Sequence, residues 1–151
     1  MVESESVILD ICEAIAKTIV NELDFEDMDW FYHQGEITPS NNFPALLVEP
    51  QDMEFVSGDF CAELNRKIKI ALFLREEDAR ETIRMVHYFV ENLVNLFYEP
   101  GNNLDIHENI SLFKYFNSTG ARTCYLKKFD TGQEEFVAHV VDLYFDLEYV
   151  I

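Results

Sequence analysis

Glycine and proline are scarce in this chain, at five and four of 151 residues. Glycine supplies backbone freedom and proline supplies punctuation. So few of both predicts mostly regular structure joined by short loops. Five glycines do not readily build a phosphate cradle, and neither GxGxxG nor a Walker A pattern occurs. GxSxG and HExxH are missing as well. Cysteine is limited to Cys12, Cys61 and Cys124. The number is odd and no pair has CxxC spacing, which argues against a disulfide framework or a zinc knuckle. Buried free thiols in a reducing compartment are expected instead. No cationic, apolar leader opens the sequence, and no apolar run approaches the ~20 residues of a membrane span. Neither secretion nor a membrane partner is therefore expected. Asn109-Ile110-Ser111 and Asn117-Ser118-Thr119 match the glycosylation acceptor pattern, which carries no weight without a secretory signal.

Bases are few and acids abundant: 11 Lys and Arg against 29 Asp and Glu, for a net charge of −18. Hydrophobic residues still make up 48% and aromatics 14%, so this is not an acidic disordered tail. At this length one domain, residues 1–151, can hold a core without disulfides or metal. The acids are unevenly placed. Residues 1–65 hold 15 acids and the single base Lys17, a net −14. Residues 66–151 hold 14 acids and 10 bases, a net −4. Such a field repels free nucleic acid and anionic membranes. It attracts a basic partner, or lines a passage through which DNA slides without sticking. Simple solubility is the plain alternative.

Hydrophobic spacing predicts two helices. Val7, Ile8, Ile11, Cys12, Ile15, Ile19 and Leu23 recur every three or four residues over 7–23, with Ser4 or Ser6 as N-cap and Glu3 and Glu5 at the positive end of the helix dipole. Ala79, Ile83, Val86, Val90, Leu93, Val94 and Phe97 do the same over 79–98, with Asp78 as cap, Glu81 in capping-box spacing, and Glu99-Pro100-Gly101 as the stop. Strand signals lie at 30–33, at 43–50 closed by Pro50, and at 66–74. In the last of these Ile68, Ile70, Leu72 and Leu74 take one face, and Lys67, Lys69, Ala71 and Phe73 the other. Residues 51–63 read as a connection, with an irregular edge strand as the alternative, and 35–43 and 100–110 as loops. A strand over 112–116 precedes a hairpin of 122–129 and 136–150 about a turn at 130–133. In its last strand Val137, Val141, Leu143, Phe145, Leu147 and Tyr149 share one face, and Asp142, Tyr144, Asp146 and Glu148 the other. The predicted class is α+β, with two amphipathic helices packed on one face of a mainly antiparallel, four- to five-stranded sheet.

No chemistry-bearing constellation emerges. Residues 24–35 resemble a calcium loop superficially, but position 5 is Met28, position 6 Asp29 and position 12 Gly35, so the EF-hand pattern fails. His33, His87, His107 and His139 are not spaced as metal ligands. His87 and His139 read as structural. Asp105-Ile106-His107-Glu108 is the one local Asp/His/Glu cluster. The expectation is a non-enzyme with no catalytic residues, metal or cofactor. The bases Arg66, Lys67, Lys69 and Arg75 form a candidate interface stripe, to meet an acidic surface such as Glu26, Asp27, Asp29, Asp52, Glu54 and Asp59. The plain alternative is a solvated strand edge, where lysine blocks stray pairing.

The opening amphipathic helix, FPALLVEP, RKIKIALFL, the long helix after it and the closing TCYLKKF…EEFVAHVVDLYFDLEYV together resemble a phage tail-terminator or tail-completion protein. The similarity lies in segment order across nearly the whole chain; residues 51–63 and 100–110 do not match it. It implies a structural virion-assembly protein of small α+β fold that forms a homohexameric ring on the end of the tail tube. Such a ring ends tube polymerisation, offers the head-tail joining surface to connector proteins, and passes DNA without specific binding. It implies a place in the virion tail, with assembly in the host cytoplasm. A different class of function, an acidic DNA mimic that inhibits a DNA-binding protein, rests on the −14 first segment.

Overall fold

A computed structural model describes residues 6–24, 28–38, 41–56, 63–75, 79–97, 113–130 and 135–150. Within the last two of these segments, side chains are described at 120, 128 and 137–149. The chain is α+β. Helix α1 (Val7–Glu22) precedes β1 (Asp29–Phe31), a 3₁₀ turn (Gln34–Glu36), β2 (Ala45–Val56) and β3 (Glu63–Arg75). Helix α2 (Ala79–Leu96), β4 (Phe113–Asp130) and β5 (Glu135–Val150) follow. The strands form one sheet in the order β1-β2-β3-β5-β4. The sheet is mixed: β1 pairs parallel with β2, and the other three pairings are antiparallel.

Ser6 is the cap of α1, its Oγ accepting from Leu9 N at 3.3 Å. That satisfies one of the orphan N–H groups of the first turn. Leu23 closes the helix, and Asp24 follows with φ 54°. Left-handed backbone favours glycine at this position. Asp24→Gly is therefore expected to raise stability by ~0.5–1 kcal/mol, read as a higher urea midpoint at unchanged slope.

Residues of both helices join one face of the sheet in the main core. Ile11, Ile15 and Ile19 of α1 and Val86, Phe89 and Leu93 of α2 cluster with Leu46, Val48, Ile68, Ile70, Leu72, Leu143, Phe145 and Leu147. The alternation expected in the third and last strands holds on this face. A second, smaller cluster lies on the opposite face: Ile37, Ala45, Leu47, Ala71, Phe73, Ala138 and Val140, with Phe31 and Phe43 against it.

Four expectations are corrected. Pro50 does not close its strand: β2 runs on to Val56, with a bulge between Pro50 and Met53. Residues 51–56, expected as a connection or an irregular edge strand, are strand. The strands expected at 112–116 and 122–129 are one strand, β4, whose register shifts three times. In α2, Val86, Leu93 and Phe97 are in the core and Val90 and Val94 pack against it as expected, but Ile83 is exposed and Thr82, Phe89 and Leu96 are buried, so the buried face is shifted to one side of the expected stripe. The alternative cap Ser4, the dipole acids Glu3 and Glu5, the cap at Asp78, the loop at 100–110 and Cys61 lie outside the described residues.

Cys12 is a buried free thiol. Burial pushes it up from about 9 to about 12, against a small opposing pull from the Arg66 guanidinium. Tyr32 packs against the same core, its ring edge-on to Trp30 at 5.1 Å. It too is pushed up to about 12, first by burial and then by Glu13, Cys12, Asp10 and Glu36. Both groups keep their protons in the fold after the unfolded chain has lost them. Their contribution is complete below pH ~9 and is withdrawn as pH climbs toward 12. At about 1.4 kcal/mol per tenfold, Cys12 alone withdraws about 4 kcal/mol by pH 12. Urea midpoints measured from pH 8 to 11 should fall steeply in the wild type and less steeply in Cys12→Ala.

Candidate interaction surface

The sheet face opposite the helices changes character along its length. Successive rows across β2, β3 and β5 read Ala45, Phe73, Val140; then Leu47, Ala71, Asp142; then Glu49, Lys69, Tyr144. Below them stand Lys67 beside Asp146, and then Glu54, Asn65 and Glu148. One half is thus apolar, with Phe31, Ile37 and Phe43 packed on it, and the other half is a charged ladder.

Lys69 sits at the junction. Its Nζ lies 3.6 Å from Glu49 Oε1 and 3.4 Å from Gln34 Oε1. Both ionic side chains are largely buried, at 11% and 14% exposure. Glu49 accepts further bonds from Gln34 N at 3.0 Å and from Gln51 Nε2 at 3.3 Å, so both carboxylate oxygens have partners. Lys67 Nζ meets Asp146 Oδ1 at 3.2 Å in a more exposed pair. Asp142, 3% exposed, lies directly across from Arg122 in register. Asp142 Oδ1 is buried without a hydrogen-bond partner among the described residues.

The proposed basic stripe is divided by this geometry. β3 is the middle strand of five, so its lysines do not line an edge. Lys67, Lys69 and Arg75 share the face away from the helices, whereas Arg66 pairs with Met53 and Leu147 on the helix-bearing face. Arg66 Nε donates to Gln51 O at 3.1 Å. Arg75 is exposed at the end of β3. Of the acids, Asp29 is occupied locally, its Oδ2 accepting from Asn42 N at 3.0 Å and Asn41 Nδ2 at 3.4 Å. Asp52 and Glu54 are exposed on the far half of β2. Glu26, Asp27 and Asp59 lie outside the described residues, as does the cluster at 105–108.

Sequence reasoning missed the neighbours of those two acids. Met53 is 41% exposed and Phe55 80%. The bulge after Pro50 adds one residue to β2, which moves odd-numbered residues to the helix-bearing face. Phe55 thus pairs with Leu64, a core residue, yet stands in solvent at the end of the sheet. An aromatic residue after a proline-closed strand reads as loop; only the bulge reveals it as a displayed side chain.

Among the described residues no group of three or more His, Cys, Asp or Glu side chains converges as a metal set. No described helix is long and apolar enough to cross a membrane. No protein-family model and no curated protein sequence matches the chain.

Proposed function

We propose that this protein is a structural assembly subunit of a phage tail, closing into a ring, of six copies as the resemblance implies, that caps the tail tube and offers the head-joining surface. The observation that carries the reading is the far half of β2, where Asp52, Met53, Glu54 and Phe55 are all exposed on an ordered strand. Exposed aromatic and thioether side chains among acids suit a contact with another protein. The layering also suits a ring subunit: two helices on one face of a mainly antiparallel sheet leave the other face and the sheet margins for neighbours. The acidic surplus would let DNA pass a central channel with little residence, because phosphates are repelled.

A DNA mimic needs acids spaced like phosphates over one surface. On the open face, Glu49 and Asp146 are interleaved with Lys69 and Lys67, which favours assembly over mimicry. The expected result is a ring with a central hole in negative-stain images, and capped ends when purified tail tubes are added. Sedimentation that shows only monomer, together with tube ends left uncapped, would sink the reading. Salt-sensitive capture of a nuclease or repressor would favour the mimic.

A further inference from the structure

The two margins of the sheet are complementary. At one side, β1 pairs only with residues 45–47 of β2. Among the described residues, nothing pairs with that margin of β2 from Val48 to Val56. At the other side, β4 is the terminal strand, 18 residues long and paired on one side by β5. The margins carry opposite charge. β2 holds Glu49, Asp52 and Glu54 and no base. β4 holds Lys114, Arg122, Lys127 and Lys128 against Asp130 alone, in a chain whose net charge is −18.

Strand polarity decides how the margins can meet. β2 opposes β3, β3 opposes β5, and β5 opposes β4, so β4 runs antiparallel to β2. A second copy rotated about an axis along the strands keeps every direction. Its β2 margin then reaches the β4 margin of the first in antiparallel sense, the geometry of straight ladder hydrogen bonds. Followed across the sheet, Glu54, Asn65, Glu148 and Tyr115 form one row, and Phe55, Leu64, Tyr149 and Phe113 the next. Without stagger, Glu54 of one copy arrives beside Lys114 of its neighbour, and Phe55 opposite Phe113. Pro50 has no N–H to donate, so it removes at most one ladder bond from this margin.

We infer that the β2 margin at 48–56 docks antiparallel on the β4 margin of a second copy of this chain, joining subunits head to tail into one continuous sheet. The inference rests on the ring reading above and specifies its contact. Unlike margins on opposite sides make a heterologous contact, which propagates beyond a dimer and closes into a ring where the rotation per subunit divides a full turn.

The test uses two full-length variants. Asp52→Lys with Glu54→Lys makes both margins basic. Lys114→Glu with Gly120→Asp makes acidic the stretch of β4 that lies in register with 48–56, so that both contact margins are acidic; Gly120 is exposed and an added Cβ there meets no atom within 4 Å. Circular dichroism and thermal melting confirm that each variant is folded. Native mass spectrometry and sedimentation should show rings for the wild type and monomer for each variant alone, with dissociation constants raised about a hundredfold or more. An equal mixture should regain rings that contain both variants in equal number. The inference is overturned by rings from either variant alone at wild-type strength, or by a mixture of two folded variants that stays monomeric. A wild type that remains monomeric at its highest soluble concentration overturns it too. Should either variant misfold, Asp52→Asn with Glu54→Gln and Lys114→Gln alone replace the pair, and each must weaken assembly without restoring it when mixed. Rings that ignore these changes leave the tail reading standing. Rings that obey them but leave tube ends uncapped overturn the tail reading and keep the edge contact.

Discussion

Phe145→Ala is expected to lower unfolding free energy by about 3–5 kcal/mol, as for a large aromatic truncated in a packed core. Phe145 is fully buried on β5. It pairs with Ile68 of β3 and stands edge-on to Phe97 just after α2, with ring centroids 5.9 Å apart and an interplanar angle of 88°. It therefore contacts the sheet and the end of α2 together, and neither can close on the cavity without moving the other. Phe97→Ala should cost less, because Phe97 lies at the margin of the core, after the last helical turn. A double-mutant cycle by urea unfolding should give a coupling of about 0.5–1.5 kcal/mol between the rings, the usual worth of an edge-to-face pair. A coupling near zero would mean that Phe97 covers the core without bracing Phe145.

The second large effect is expected at Lys69. Lys69→Ala removes the one cation beside Glu49 while Gln34 and Gln51 still hold that carboxylate in place. A largely buried charge left without its partner costs several kcal/mol, and with two neutral donors remaining the loss should be about 2–4 kcal/mol. Lys69→Met with Glu49→Gln keeps the shape and removes both charges, so it should recover to within about 1 kcal/mol of wild type. Denaturant midpoints at low and high salt give the check, because a shielded pair should respond weakly to salt. The exposed Glu13–Lys17 pair on α1, at 3.0 Å, supplies the contrast: Lys17→Ala should cost no more than about 0.5 kcal/mol and depend on salt. If Lys69→Ala were as mild as Lys17→Ala, Glu49 would be reached by water in solution.

Much of the local structure is legible in the residues. Ile11, Ile15 and Ile19 behind a Ser6 cap specify one helix face without help from the rest of the chain. The alternation of Ile68, Ile70 and Leu72, and of Leu143, Phe145 and Leu147, specifies which side of each strand is dry. The second helix is less determinate. Thr82, Val86, Phe89 and Leu93 have helical spacing as good as Ile83, Val86, Val90 and Val94, and which stripe turns inward depends on where the sheet lies. Pro50 misleads for a related reason. Proline ends a strand when its N–H is needed, and β1 has already stopped at the level of Leu47, so Pro50 deprives no described neighbour of a bond. In β4 three register shifts break the period-two pattern, so one long strand reads as two short ones.

The candidate surface was half legible. The acidic surplus before Arg66, the basic stripe and the exposed acids Asp52 and Glu54 are visible as composition. Phe55 is not, because a bulge places it and bulges leave no periodic trace. The alternation puts Asp142 on the face away from the helices, where it does lie, but its burial there is set by the neighbouring strands.

By itself, the sequence determined two amphipathic helices, the sidedness of the central strands and a charge imbalance concentrated in the first 65 residues. These are local properties, set by backbone periodicity and side-chain chemistry. Tertiary structure alone decided which strands are neighbours. It set β3 in the middle of the sheet, sent Arg66 to the helix side, and tied Lys67 to Asp146, 79 residues away. Period two tells a strand which face is buried, but strand order is settled by contacts between distant segments. That is why the lysines that looked like an interface became internal partners, and why the margins of β2 and β4 became the surfaces that face outward.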